Sequence, residues 1–196
     1  MTATDSPAVA APPPEAASEA ETRLYHSATR DSLTGLPNRH YFREAAERAL
    51  LLAGRQQSPV TVLAVDVDDF DGLIAQHGQP LADAVVQRLA VLLEDRFRRS
   101  DLIARLFGAS FAVLLPGAGH RNARLLAENL RAAVEADAGA DGNGTGDDAT
   151  LPRITVSVGL AVAAPDNQAA LDPLLDLADD ALRAAKAAGR NRVTEA

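Results

Sequence analysis

At 196 residues, 47 % of them apolar, the chain is long enough for one domain with a sizeable core plus short extensions. A formal net charge of −8 argues against a general nucleic-acid binder, which would need a basic face to neutralise phosphates. Without cysteine there is neither a disulfide framework nor a thiolate metal site, and no apolar run is long enough to span a bilayer.

Residues 1–20, MTATDSPAVAAPPPEAASEA, offer little to bury and read as a disordered tail. They lack the charged start and leucine-rich core of a secretory signal, so the expected location is the cytoplasm. A short helix is expected over 21–30 and the folded domain over 31–196. Asp31, Gly35 and Pro37 punctuate a turn before a second helix, roughly 38–53. PVTVLAVDV, 59–67, is a β-branched run ending in acidic residues and reads as a buried strand. Over 81–97, Leu81, Val85, Leu89, Leu92, Leu93 and Phe97 recur at helical spacing. RLFGASFAVLLP predicts a hairpin, with strands near 102–106 and 111–115 around Phe107, Gly108, Ala109 and Ser110. Leu126, Leu130 and Val134 mark a helix over about 120–136, and DAGADGNGTGDDAT reads as a flexible, solvated loop. ITVSVGLAVA, 154–163, is a strand; Asp172 and Pro173 supply an N-cap and first-turn proline for a last helix to about 188, closed by Gly189. This order predicts an α+β fold, an α/β sandwich with a central mixed sheet flanked by helices.

The segments DSLTGLPNR, VDVDDF, RRSDLIARLFGASFAVLLP, ITVSVGLA and ADDALRAAKAAGRNRV, in that order, resemble the GGDEF domain of diguanylate cyclases over about residues 28–194. The resemblance implies a fold similar to the palm of class III nucleotide cyclases. It also implies an ancestral activity, in which a dimer joins two GTP molecules into cyclic di-GMP with Mg²⁺. Such chemistry needs carboxylates beside the metals, an in-line 3′-hydroxyl and polar groups to read guanine.

Carried over residue by residue, the match is uneven. Asp66 and Asp68 align with metal-binding positions and are hard oxygen ligands suited to Mg²⁺. Taken alone, they are two acids ending a strand. The signature turn aligns as Phe107, Gly108, Ala109, Ser110 and Phe111, with Ala109 and Ser110 where the family carries carboxylates and Phe107 where it carries glycine. A catalytic site is therefore not expected there, and Ser110 has no His or Lys at a recognisable partner spacing. After Phe70 the family's lysine is Asp71 and its guanine-reading asparagine is Ile74; Asp83 remains, as a guanine acceptor or a first-turn helix residue. Lys186 and Arg190 match triphosphate-side positions, or serve as cations at a helix C-terminus.

Arg98 and Asp101 fit the R-x-x-D pattern upstream of the signature turn, which family members use to bind cyclic di-GMP as an inhibitor. An Arg fork can grip phosphate or the guanine Hoogsteen edge, and Asp accepts from guanine N–H groups. Taken alone, Arg98 and Asp101 are residues that end a helix. Arg131 could contribute from the following helix, while Asn129 stands where an arginine would also help.

Three functions stay open: an inactive GGDEF regulator that binds cyclic di-GMP or a protein partner, a residual cyclase, and a nucleotide-independent scaffold. No cofactor is required in the first; Mg²⁺ enters only with bound GTP. A homodimer stays open, and the roughly thirty residues before Asp31 are too few for a compact fused sensor.

Overall fold

The structure is a computed structural model that describes residues 26–137, 151–164 and 170–196. The expected tail, the start of the first helix and the Gly/Asp-rich loop beyond Asp137 lie outside the described residues. A helical turn over 26–29 opens the described chain, followed by helix α1 (Arg39–Gln56), strand β1 (Val60–Val67), α2 (Phe70–His77) and α3 (Gln79–Arg96). Then come β2 (Leu102–Phe107), β3 (Ser110–Pro116), α4 (His120–Asp137), β4 (Val156–Ala163), α5 (Leu171–Ala187) and β5 (Val193–Glu195). Among the described residues no helix is long and apolar enough to cross a membrane.

The strands form one mixed sheet in the order β2-β3-β1-β4-β5, antiparallel except for the parallel pair β4 and β5. Period-two alternation gives that sheet two different faces. Leu63, Val65, Val67, Phe111, Val113, Leu115, Val158 and Leu160 pack with α3 and α4 in one large cluster. On the other face Val62, Ala64, Ala104, Ala112 and Ala161 meet α1 and α5. Small residues on this second face let α5 approach closely. The approach is tightest at Gly159, where an added Cβ would lie 2.0 Å from the carbonyl oxygen of Ala178 and 2.3 Å from the amide nitrogen of Leu182. The result is the expected sandwich of helices around a mixed sheet.

Four details depart from expectation. The stretch after Phe70, for which the sequence predicts no helix or strand, forms α2, an eight-residue helix that Gly78 (φ +81°) separates from α3. The fourth strand begins at Val156 rather than 154. The last helix begins at Leu171 with Ala170 as N-cap and no side-chain cap; Asp172 instead sits in its first turn and pairs with Arg43 at 2.6 Å. Strand β5 is only three residues long and is held by pairing with β4.

Candidate functional site

Two groups of the sequence-selected residues come together, at opposite ends of the sheet. The first lies where β1 ends. Strand register sets Asp66 beside Ser110 of β3 and Ser157 of β4, all facing the α5 side. Ser110 Oγ donates to Asp66 Oδ1 at 3.1 Å, and Lys186 Nζ, at the last turn of α5, donates to Asp66 Oδ2. Asp68 is also engaged at both oxygens: Ser157 Oγ donates to its Oδ1 and Thr155 Oγ1 to its Oδ2, each at 2.6 Å. The Asn191 N–H donates to Asp68 Oδ2 at 2.9 Å. Asn191 follows Arg190, and both residues adopt the left-handed backbone (φ 45° and 62°) that turns the chain from α5 into β5.

Around this centre the turn carries no acid. Ala109 is buried, Gly108 adopts φ +53° at the tip, and Phe107 stands 66 % exposed. Phe111 is buried in the large cluster. Arg105, on β2, holds the turn from below. Its Nε donates to the Gly108 carbonyl at 2.9 Å and its Nη1 to Asp31 Oδ1 at 2.9 Å. Burial would raise the Asp31 pKa, but hydrogen bonds from Arg105 and Thr34 outweigh it and hold the carboxyl below its ordinary value. Asp83 lies past the first turn of α3 and accepts from Gln79 Nε2 at 2.7 Å. Ile74 is on α2, and Arg190 is exposed.

The second group forms a pocket of about 250 Å³ at the other end of β3. Arg98 and Asp101 line it with Pro116, Gly117, Asn122 and Leu125. The turn after α3 is fixed by a reciprocal pair: the Arg98 N–H donates to Asp101 Oδ2, and the Asp101 N–H donates to the Arg98 carbonyl, each at 2.9 Å. Among the described residues no partner holds the Arg98 guanidinium. Arg131 does not line this pocket. Its guanidinium is committed to Glu128 at 3.0 Å, Glu135 at 2.7 Å and Asn191 Oδ1 at 2.9 Å. Asn129 instead lines a shallow depression with Asp95, Arg96 and Leu126.

Sequence reading missed Thr155, Ser157 and Asn191 around Asp68, and Asn122 in the distal pocket. The two hydroxyls were legible in principle, since ITVSVG places them beside the strand residues that face β1. Asn191 and Asn122 are recognisable only once helices and sheet have been assembled.

The sequence pattern of the family described as "Diguanylate cyclase, GGDEF domain" matches residues 28–192. The chain belongs to the GGDEF family. It is 35 % identical over 169 residues to the probable diguanylate cyclase DgcT of Escherichia coli; the match covers 85 % of this chain and 35 % of DgcT. The chain thus spans about a third of that curated relative. Among solved structures, the coiled coil and GGDEF domain of DgcB from Caulobacter crescentus, in complex with c-di-GMP, superposes with a TM-score of 0.82 at 30 % identity, covering 93 % of each chain. The diguanylate cyclase SiaD of Pseudomonas aeruginosa, solved with its activator SiaC, gives 0.78 at 26 % identity, covering 93 % of this chain and 67 % of that one.

GGDEF domains are Mg²⁺-dependent when active, and a divalent ion needs several hard oxygen ligands without a competing cation among them. Here the Lys186 ammonium already sits on Asp66 Oδ2, where its like charge opposes a dication, and Asp68 accepts three hydrogen bonds from within the chain. Among the described residues no group of three or more His, Asp or Glu side chains could hold a metal ion. The donor set does not fit Mg²⁺.

Proposed function

We propose that this GGDEF domain is a non-catalytic receptor of cyclic di-GMP, which it binds at the Arg98 and Asp101 pocket. The observation that carries this reading is the state of Arg98. Its guanidinium is unpaired among the described residues beside a pre-formed turn, whereas the Asp66 and Asp68 carboxylates are hydrogen-bonded within the chain, Asp66 to the Lys186 ammonium. A free Arg fork binds phosphate or guanine O6 and N7 in bidentate fashion. Asp101 keeps one oxygen engaged by the Arg98 N–H; the other, only weakly held by Ser100 at 3.4 Å, remains able to accept guanine N–H. The pocket is smaller than the roughly 300–1,000 Å³ of enclosed small-molecule sites. It therefore suits one guanine with the rest of the dinucleotide lying outside. That DgcB was solved with c-di-GMP supports the ligand class, and SiaD with its activator SiaC supports regulation by contact with a partner protein.

Isothermal calorimetry with cyclic di-GMP tests this. Wild-type protein is expected to bind, and Arg98→Ala to weaken binding by about 10- to 100-fold, the loss of a charge-assisted hydrogen bond. Asp101→Ala should weaken it similarly. GTP with Mg²⁺ should yield no cyclic di-GMP. Absence of binding by the wild type rejects the receptor reading. Product formed from GTP and abolished by Asp66→Ala restores the cyclase reading.

A further inference from the structure

We infer that Thr61 is a positioning residue for the distal pocket: its hydroxyl turns the Ala118 carbonyl into the fold and so sets the apolar wall on which a guanine lies. The ligand in this inference rests on the receptor reading; the geometry rests on the sheet. Thr61 is a polar residue in apolar surroundings. Among the described residues two polar ones are fully buried, Thr61 and Ser157, and Ser157 serves Asp68. Thr61 stands on β1 in line with Leu63, Val65 and Val67, on the face that packs against α3 and α4, where an apolar side chain would fit. A hydroxyl is costly there unless it is paired. Its partner is the Ala118 carbonyl, 57 residues further along the chain, to which Oγ1 donates at 2.7 Å.

Ala118 belongs to the segment that walls the pocket. Leu115, Pro116, Gly117 and Ala118 line it in succession, together with Arg98 and Asp101. The chain leaves β3 through Gly117 (φ +75°), and three hydrogen bonds then turn its polar groups inward. The Gly117 N–H donates to the Pro59 carbonyl at 2.8 Å, the Ala118 N–H to the Leu115 carbonyl at 3.4 Å, and the Ala118 carbonyl accepts from Thr61. Thr61 also lies beside Leu115 in the register of β1 and β3, so one side chain braces both ends of the wall. What the wall offers a ligand is hydrocarbon, from Pro116 and Ala118 with Leu125 and Leu126 of α4. Such a surface takes the face of a purine ring while Arg98 and Asp101 take its edge. Without the hydroxyl, the Ala118 carbonyl must turn to water, and the pocket it lines is where water reaches it.

Thr61→Val keeps the branched shape and removes the hydroxyl; Thr61→Ser keeps the hydroxyl. Amide hydrogen exchange, followed by NMR on the ligand-free full chain, reads the wall. In Thr61→Val the Gly117 and Ala118 amides are expected to exchange about tenfold faster, those of Leu63 and Val113 by less than about threefold. Thr61→Ser should exchange like wild type. Calorimetry with cyclic di-GMP reads the pocket: Thr61→Val should bind about 3- to 10-fold more weakly, and Thr61→Ser within about twofold of wild type. Equal acceleration at all these amides would assign the hydroxyl to general stability and overturns the inference. So does unchanged exchange at the wall, wild-type affinity in Thr61→Val, a Thr61→Ser that behaves as Thr61→Val does, or a Thr61→Val chain that does not fold. If the wild type itself binds no cyclic di-GMP, the receptor reading falls, and the exchange result still decides whether Thr61 sets the wall.

Discussion

Arg105 and Asp31 show how a turn without carboxylates keeps its shape. Asp31 Oδ1 accepts from Thr34 N at 2.9 Å, Thr34 Oγ1 at 2.8 Å and Arg105 Nη1 at 2.9 Å, and both ion-pair side chains are mostly buried. The pair thus joins the loop before α1 to the hairpin. Replacing Asp31 by Asn keeps the shape and removes the charge, leaving Arg105 half-paired in a part-buried site. The expected loss at neutral pH is about 2 kcal/mol, the value of hydrogen bonds to a charged group. The pH dependence has a definite sign. The folded pKa of Asp31 is depressed, so its contribution is present above the unfolded value of about 3.9 and is lost as pH falls through the lower, folded value. Urea unfolding at neutral pH and again well below that range should show the gap between wild type and Asp31→Asn closing in acid. A gap of constant size would remove the ionised pair as its cause.

At the scale of elements, α5 decides where the chemistry falls, and one glycine decides where α5 falls. Because a Cβ on Gly159 would lie 2.0 Å from the Ala178 carbonyl oxygen, Gly159→Ala must push the helix off the sheet or fail to fold. Overpacking of this kind is expected to cost about 3 kcal/mol, measured by the urea midpoint. An unchanged midpoint would mean that α5 is free to move. The same contact explains what the sequence could and could not tell. PVTVLAVDV and ITVSVGLAVA were legible as strands because β-branched runs of that length have few alternatives. Strand β5 was not, since three residues gain strand geometry only by pairing with β4. FDGLIAQH is short and carries Gly72, so its helical character comes from packing against α3 rather than from propensity. Within the site, Asp66, Asp68 and Lys186 could each be singled out by position in a motif. The bond between Asp66 and Lys186 could not, because it spans 120 residues and exists only after α5 settles on Gly159.

Across the whole molecule the two groups of residues are separated by the length of the sheet. In the antiparallel pair of β1 and β3, Asp66 faces Ser110 at one end and Val60 faces Pro116 at the other. Six residues of strand, about 20 Å, lie between the Lys186 centre and the pocket that holds Arg98. The strands between them are buried on both faces, and no side chain belongs to both groups. Contacts this far apart without shared partners act additively. Combining Arg98→Ala with Lys186→Met should therefore change unfolding free energy by the sum of the single effects, within about 0.5 kcal/mol. Cyclic di-GMP affinity, measured by calorimetry in EDTA, should be the same in wild type and in Lys186→Met wherever that variant is folded. If Lys186→Met weakened the ligand as Arg98→Ala is expected to, the sheet would be transmitting a change of state between its ends. The rigid packing of Phe111, Val113 and Leu115 along β3 argues against a second arrangement of that strand, and so for independence.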